Sequence, residues 1–443
     1  MVEYDPVLYS RILTGTTLGF HTIFATLGAG IPLLIALAEW IGIKRNDMHY
    51  HVLARRWTKG YIISVAVGVV TGTAISLQLS LLWPNFMEAA GHTIALPLFL
   101  ETFAFFFEAI FLGIYLYTWN RFKSKYAHFL LLLPVFIGGG ASAFFISTVN
   151  AFMNSPIGFN YENGILTNVN PIMAMFNPAT PTKVTHVMAS SYLTAAFILA
   201  SIAAFSIYRG RNHVYHKKAL KLSMTVALAF AISTALIGDL SGKFLAQYQP
   251  EKLAAAEWHF ETEKGATLIF AGSLDENNKI SQAIEIPYAL SILAHGIPGA
   301  EVIGLEEFPE EDWPPLIVHY YFDWMVTIGM FLALVSFVYF CMQYREKWNE
   351  CNKPLLSAII AGGPLAMLAI EAGWFMAEQG RQPWIIRGVM RTAEAATTSN
   401  HVDTMLILFI LLYVILAISI VIVLKRVFKA SPLEKDLKKQ GIE

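Results

Sequence analysis

The chain has 443 residues, of which 56% are hydrophobic and only 14% are charged. Soluble domains are typically about 25% charged, because charge covers their surface, so this composition indicates a membrane protein rather than a soluble enzyme. The net charge of −1 argues against a generally basic nucleic-acid-binding protein. The two cysteines, Cys341 and Cys351, are too few for a disulfide framework or a Cys-rich metal site.

Nine segments are long and apolar enough to cross a bilayer, which takes about 20 mostly apolar residues. The N-terminal stretch is acidic and lacks the basic region of a cleaved signal peptide, so we expect the first segment to be retained. The predicted fold is therefore an all-α integral membrane protein with about nine transmembrane helices. The predicted spans are 12–40, 58–82, 94–119, 127–150, 185–208, 219–241, 317–343, 355–377 and 403–425.

The charges of the loops predict the orientation of the chain. The odd-numbered connections and the C-terminal tail are rich in Lys and Arg, which favours the cytoplasmic side, whereas the sixth connection is acidic. This pattern places the N-terminus outside and the C-terminus in the cytoplasm. The eighth connection breaks the pattern with Arg381, Arg387 and Arg391. These arginines suggest a local anionic partner, although short translocated loops also tolerate some Arg.

The sixth connection, 242–316, is the one long loop of the chain. Loops beyond about 15 residues are usually functional or disordered. This loop contains a helix-like piece, QPEKLAAAEWHFETEK (249–264), with Pro250 near its start, and several aromatic and apolar stretches. We therefore expect it to be structured.

Several residues within the spans carry chemistry that is costly in a membrane and is therefore a hypothesis of function. Imidazole and thioether groups are axial ligands of haem iron, and carboxylates along one helix face suit a proton relay. Two carboxylate pairs have a spacing of seven residues, which places both members on one face roughly 10 Å apart. The residues are His21, Glu101, Glu108, His186, Met325, Glu371 and Glu378.

Each of these residues also has a structural interpretation. A membrane histidine can bond a neighbouring helix, a methionine usually fills a core, and Glu101 and Glu108 could form an inter-helix hydrogen-bond pair. The spans lack the paired histidines of dihaem cytochrome b bundles and the histidine cluster of haem–copper oxidases. The residues alone leave two possibilities open, a redox protein or a transporter with Glu101, Glu108 and Glu371 as ion sites.

Three stretches carry a resemblance to a known family. The segment EAGWFMAEQGRQPW (371–384), with its GRQPW core, resembles the signature of subunit I of cytochrome bd-type quinol oxidases. The segment QPEKLAAAEW (249–258) is similar to the start of that family's quinol-binding loop. Arg11, Phe20 and His21 also match, as do the length and the nine spans with an outside N-terminus. The loop resembles the short type of the family.

The resemblance implies a terminal oxidase with two haem b groups and one haem d, which oxidises quinol outside and reduces O₂ to water. Protons for water would come from the cytoplasm, which generates a membrane potential without pumping. A related oxidase with only b haems would use the same protein ligands. The resemblance also implies one haem-binding domain over 1–443 with 242–316 as the extracytoplasmic quinol loop. Expected partners are a second membrane subunit and a small single-span subunit, in the bacterial cytoplasmic membrane.

The resemblance also assigns roles to residues. Asp323 departs from the family pattern, which has an Arg two residues before the methionine ligand. Lys252 and Glu257 would bind quinol, although on sequence alone they could lie on an ordinary solvated helix face. The remaining roles are His186 and Met325 as axial ligands of the low-spin haem b, His21 and Glu378 as ligands of the high-spin haem b and haem d in either order, Glu101 and Glu108 on the proton path, and Arg381 among the haem propionates.

Overall fold

The computed structural model describes residues 4–162, 164–276, 278–345, 349 and 352–442. Lys347, in the basic seventh connection, and Cys351 lie outside the described residues. The helices are α1 (Pro6–Arg45), α2 (Met48–Leu82), α3 (Pro84–Tyr117), α4 (Lys125–Phe129), α5 (Leu132–Asn154), α6 (Pro171–Met175), α7 (Thr180–Tyr208), α8 (Val214–Tyr248), α9 (Pro250–Glu257), α10 (Ala289–His295), α11 (Val318–Tyr344), α12 (Lys353–Gln379), α13 (Thr392–Ala395), α14 (Val402–Ala430) and α15 (Leu433–Lys438).

The nine predicted spans are confirmed. Within the described ranges, nine helical segments are long and apolar enough to cross a membrane: α1, α2, α3, the pair α4–α5, α7, α8, α11, α12 and α14. Several begin well before the apolar window that predicted them. Asp5 accepts a hydrogen bond from the Val7 amide at 2.8 Å, and Asp47 accepts one from the His49 amide at 3.1 Å. These N-caps satisfy free amides and extend α1 and α2 into polar sequence.

Helix α7 lies at the centre of the bundle. It packs against α8, α12, α1 and α5. Of its most apolar 18-residue window 67% is buried, against 6% for α14. Small residues allow this packing, since Ala195, Ala196 and Ala200 are fully buried on one face of α7. Most side chains in this part of α7 therefore lie inside the bundle, although Ile202 and Phe205 are exposed.

The sixth connection is structured, as expected, but its helix is shorter than the sequence suggests. Helix α9 ends at Glu257, because Trp258 adopts a left-handed conformation (φ 48°). The Trp258 ring stacks on His319 at 3.9 Å, and its Nε1 donates to the Leu316 carbonyl at 2.9 Å. This packing turns the chain away from the helical path and holds the loop against the start of α11.

Short antiparallel strand pairs and two 3₁₀ turns form the rest of the polar connections. In the sixth connection β3 pairs with β8, β4 with β7, and β5 with β6, and the other two pairs are β1–β2 and β9–β10. The strands are β1 (Asn160–Glu162), β2 (Ile165–Thr167), β3 (Glu263–Lys264), β4 (Leu268–Phe270), β5 (Ser273–Leu274), β6 (Ile280–Ser281), β7 (Ile284–Ile286), β8 (Glu301–Val302), β9 (Trp384–Ile386) and β10 (Met390–Arg391), and the 3₁₀ turns are Leu305–Glu307 and Glu310–Asp312.

Candidate functional site

His186 and Met325 lie in one group of four helices, α7, α8, α11 and α12, which pack in a closed ring. A glycine stands beside each of the two side chains. A β carbon at Gly238 would lie 3.7 Å from His186 Cε1, and one at Gly373 would lie 3.1 Å from Met325 Sδ. His186 Nδ1 is buried and has no hydrogen-bond partner in the described part of the chain. The two glycines therefore let the imidazole and the thioether pack close to the backbones of α8 and α12.

His21 lies on α1 and contacts α2. Its Nδ1 is 2.8 Å from the Thr71 hydroxyl, which itself donates to the Val67 carbonyl at 2.9 Å. A hydroxyl has one proton, so Thr71 accepts at this contact and His21 Nδ1 carries the hydrogen. The lone pair is then on Nε2, the tautomer that a metal-binding histidine needs. Gly72 lets the His21 ring lie close to α2, since a β carbon at Gly72 would lie 3.4 Å from His21 Cε1.

Glu378 lies at the C-terminal end of α12 and is held from two sides. Asn150 of α5 donates to Glu378 Oε1, and Arg381 Nη2 donates to Glu378 Oε2 at 2.6 Å. The second Arg381 Nη group donates to the Ile385 carbonyl, whereas Arg381 Nε is buried without a hydrogen-bond partner among the described residues. The Arg381 guanidinium therefore fixes the carboxylate and keeps one donor that a further anion could use.

Glu101 and Glu108 project from α3 toward α5, as their spacing predicts. Ser142 of α5 donates to Glu101 Oε1 at 2.8 Å. Glu108 is 2% exposed and accepts a hydrogen bond from the Tyr61 hydroxyl of α2. Gly139 allows α5 to approach, because its β carbon would lie 3.2 Å from Glu108 Oε2. Both carboxyls have hydrogen-bond partners inside the bundle. Such partners are expected for proton-relay groups and also for structural hydrogen-bond pairs.

Lys252 and Glu257 are both buried in α9, so the interpretation of a solvated helix face is wrong. Lys252 is 4% exposed and Glu257 is 1% exposed. The Lys252 amine donates to the Ala377 carbonyl at 2.9 Å and to Asn154 Oδ1 at 3.3 Å. Burial, followed by the charge of Lys183, holds the pKa of Lys252 well below its usual range. Its side chain therefore reaches the turn of α12 that carries Glu378.

Glu257 faces the opposite way, toward α11. Both of its carboxyl oxygens are buried without a hydrogen-bond partner among the described residues. Burial, followed by the charge of Asp323, raises the pKa of Glu257 well above its usual range. The unpaired carboxyl is therefore available to a ligand that donates or accepts hydrogen bonds.

The arginines of the eighth connection have anionic partners within this chain. Arg387 binds Glu251 through two contacts, at 2.5 and 2.9 Å, and donates to the Tyr248 carbonyl at 2.6 Å. Arg391 binds Asp312 at 2.7 Å. The contacts of Arg387 and Arg391 attach the eighth connection to both ends of the sixth connection, whereas Arg381 pairs with Glu378 of α12.

The Arg387–Glu251 pair gives a test of this attachment. We expect Arg387→Met to weaken the docking of α9 by about 1–2 kcal/mol, because a bidentate and largely buried pair is lost. Backbone amides of 249–257 should then exchange with deuterium faster than in the unmodified protein. Arg387→Lys keeps the charge but loses the second contact, so its exchange rate should lie between those of Arg387→Met and the unmodified protein. Equal exchange in all three proteins would contradict the attachment.

Comparison with known proteins gives the family. The sequence profile of the family described as cytochrome bd terminal oxidase subunit I matches residues 9–432. The chain belongs to that family. A solved bd oxidase structure from Geobacillus thermodenitrificans is 63% identical, with a TM-score of 0.94, over 98% of this chain and 100% of that one. The resemblance seen in the sequence is confirmed, and so is the fold of the oxidase subunit.

Two relatives come from Bacillus subtilis (strain 168). One, provisionally named as a cytochrome bd menaquinol oxidase subunit I, is 41% identical over 98% of this chain and 99% of its own length. The other, named cytochrome bd ubiquinol oxidase subunit 1, is 32% identical over 96% of this chain and 93% of its own length. These relatives are quinol oxidases by name. This chain is accordingly a multi-span oxidase subunit that carries haem and works with a second subunit.

Sequence reasoning missed His319 and noted Asp323 only as a departure from the family pattern, whereas both groups lie near Glu257 in this bd oxidase subunit. His319 is fully buried and its Nδ1 lies 2.8 Å from the Ala256 carbonyl. Asp323, which stands where the family pattern has Arg, accepts from the Ala271 amide at 2.6 Å and lies 3.4 Å from His319 Nε2. Asp323 therefore anchors the sixth connection. Its spacing of four residues from His319 on a helix was the signal available in the sequence.

Proposed function

We propose that this chain is the haem-carrying and quinol-binding subunit of a terminal respiratory oxidase that reduces O₂ to water. One observation carries the proposal. The quinol-loop residue Lys252 donates to the Ala377 carbonyl, directly beside Glu378. An electron donor bound at α9 would thus lie next to a candidate iron ligand, and the Arg387–Glu251 pair would hold that arrangement in place.

The candidate ligands fit haem. Bound haem would supply electron transfer and the reduction of O₂. His186 and Met325 would hold the low-spin haem b, because a histidine–methionine ligand pair suits electron transfer. His21 and Glu378 would each provide one ligand, for the high-spin haem b and haem d in either order. Arg381 Nε, buried and unpartnered in the described structure, would bond a haem propionate.

Lys252 and Glu257 would orient quinol, and Glu257 would accept one of the two protons that its oxidation releases. Glu257 has no hydrogen-bond partner within the described structure, so a quinol hydroxyl would be the donor that its ionised form lacks. Binding would therefore lower the pKa of Glu257 and prepare it as a general base. Lys252 would donate to a quinone oxygen after it leaves the Ala377 carbonyl.

Glu101 and Glu108 would conduct protons from the cytoplasm to the O₂ site. We propose an outside N-terminus, a cytoplasmic C-terminus and a bacterial cytoplasmic membrane. The whole of 1–443 would form one haem-binding domain, with 242–316 as the extracytoplasmic quinol loop. Proton uptake on one side and quinol oxidation on the other would generate a membrane potential without pumping. We propose a small single-span subunit beside the second membrane subunit.

The first experiment is a dithionite-reduced minus air-oxidised absorption spectrum of the detergent-purified complex. A red chlorin band beside b-haem bands would support two haem b and one haem d, whereas b-haem bands alone would indicate the all-b type. An assembled complex without haem would overturn the proposal and favour the transporter. Quinol turnover should be measured with menaquinol and ubiquinol analogues, since the named relatives differ in this respect.

A further inference from the structure

Helix α3 carries a third polar residue in series with Glu101 and Glu108. Tyr115 follows Glu108 by seven residues, so all three lie on one face of α3, at intervals of about 10 Å. Tyr115 lies near the end of α3 that leads into the basic third connection and is fully buried. This face of α3 therefore runs from the bundle interior to the end of the bundle at the third connection, which is called the basic end below.

Tyr115 belongs to a buried cluster with Glu39 of α1 and His128 of α4. Glu39 is 2% exposed and His128 is 4% exposed. The Tyr115 hydroxyl donates to Glu39 Oε2, and His128 Nδ1 lies 3.1 Å from Glu39 Oε1. His128 Nε2 lies 2.9 Å from the Tyr115 carbonyl, which can only accept. His128 Nε2 therefore carries a hydrogen.

This hydrogen-bond pattern has a consequence for the contact between His128 and Glu39. With a hydrogen on Nε2, the contact of Nδ1 with the carboxyl needs one further proton. That proton lies on Glu39 if His128 is neutral, and on His128 if Glu39 is ionised. The two residues thus share one transferable proton, inside the membrane protein and close to its basic end.

The cluster adjoins a cleft at the basic end of the bundle. His51, Arg55, Arg56, Trp119 and Asp436 line this cleft. The Trp119 ring packs edge-on against His128 at 5.1 Å, and the Arg55 guanidinium lies 5.8 Å from the Trp119 ring. His51 Nε2 is buried without a hydrogen-bond partner in the described ranges, and His51 interacts electrostatically with Glu39, His128 and Lys125. Trp119 therefore lies both in the lining of the cleft and against His128 of the cluster.

On the inner side, hydroxyl groups of α2 lead from the cluster to Glu108. Thr58, fully buried, is within hydrogen-bonding reach of Tyr115. Tyr61 follows one turn later on α2 and donates to Glu108. Thr58 and Tyr61 thus stand three residues apart on α2, the first beside Tyr115 and the second beside Glu108.

We propose that Glu39, His128 and Tyr115 form the proton-uptake mouth of this subunit and supply Glu108 and Glu101. The inference rests on the proposed oxidase function. A proton from water protonates His128, moves to Glu39, and continues through the Tyr115, Thr58 and Tyr61 hydroxyls to Glu108. Each group on this route takes up one proton and releases one, so the protonation states of the route are restored after every transfer. No electron travels by this route.

The test uses the complete purified oxidase carrying Glu39→Gln or Tyr115→Phe. Fully reduced enzyme is mixed with O₂, haem oxidation is followed by absorbance, and proton uptake by a pH-indicator dye. We expect proton uptake to slow about 100-fold in Glu39→Gln, near the lower end of the cost of losing a proton-transfer group. Haem content and the KM for quinol should be unchanged. Asp239→Asn, which removes a carboxylate paired with Lys243 on α8, should leave uptake at the normal rate.

A second readout is independent of turnover. The shared proton predicts an infrared band of Glu39, as carboxyl or carboxylate, that shifts when this proton is replaced by deuterium and that is missing in Glu39→Gln. Tyr115→Phe keeps the ring packing, so it serves if Glu39→Gln does not assemble. Wild-type uptake rates in both variants, or an infrared spectrum without that band, would overturn the uptake mouth. Absence of quinol-dependent O₂ reduction in the unmodified oxidase would instead overturn the proposed function, which separates the two failures.

Discussion

His186→Ala is expected to remove the low-spin haem b signal while the haems at the O₂ site remain. Alanine offers no ligand atom, and the iron of a His/Met-ligated haem needs both axial ligands to stay low-spin. Mutation of outer partners of metal ligands typically costs 10–100-fold, so loss of the ligand itself should reduce quinol-dependent O₂ consumption at least about 100-fold. Reduced-minus-oxidised spectra and haem extraction measure the result.

Two further variants sharpen this prediction. Met325→Leu keeps the volume and apolar character of the side chain but removes the thioether, so the haem should stay bound with a changed spin state. His295→Ala removes an exposed histidine at the end of α10 and should change neither spectrum nor turnover. A full low-spin haem b signal in His186→Ala would contradict the ligand assignment.

Glu257→Gln is expected to reduce kcat for quinol oxidation about 10²–10⁴-fold, the usual contribution of a positioned general base. Glutamine has nearly the same shape but cannot accept the quinol proton. Haem content should be unchanged, since Glu257 lies in α9 against α11 rather than at a candidate ligand position. Steady-state quinol oxidation, with haem quantified in the same sample, measures this effect.

The same variant should change how stability depends on pH. The pKa of Glu257 is raised in the folded protein, so the unfolded chain ionises first as the pH increases. The contribution of Glu257 to the free energy of unfolding is therefore largest below the unfolded pKa, about 4.3. This contribution declines as the pH rises toward the pKa of Glu257 in the folded protein. The glutamine side chain in Glu257→Gln does not ionise, so this variant should lack the decline. Its unfolding temperature relative to the unmodified protein should therefore increase from pH 5 to pH 8, as differential scanning fluorimetry would show.

Glu263→Gln is the matched control, because Glu263 is exposed on β3 in the same loop. It should change neither kcat nor the pH dependence of unfolding. Unchanged quinol oxidation in Glu257→Gln would remove this residue from the proposed quinol site, whatever the effect on stability.

The sequence alone predicted the nine spans and the family, which are confirmed for the described residues, and it proposed the candidate ligands. Transmembrane segments are local in sequence, because each apolar helix satisfies its own backbone hydrogen bonds in the bilayer. Hydropathy within one window is therefore enough to find each span. The GRQPW core is also a continuous motif, so it indicates the family without knowledge of the fold. The family profile, which matches residues 9–432, confirmed that family. The ends of the helices were less predictable, since capping residues such as Asp47 lie outside the apolar windows.

Only the tertiary structure determined the orientation of the polar side chains and their hydrogen-bond and ion-pair partners. Lys252 reaches the Ala377 carbonyl 125 positions away, and Arg387 meets Glu251 across 136 positions. Glu39 and Tyr115 are separated by 76 positions. Charge and hydrogen bonding select partners by distance in space, and no local pattern of the chain encodes such a distance. The burial of Glu257 has the same origin, because it depends on how the sixth connection folds over the start of α11.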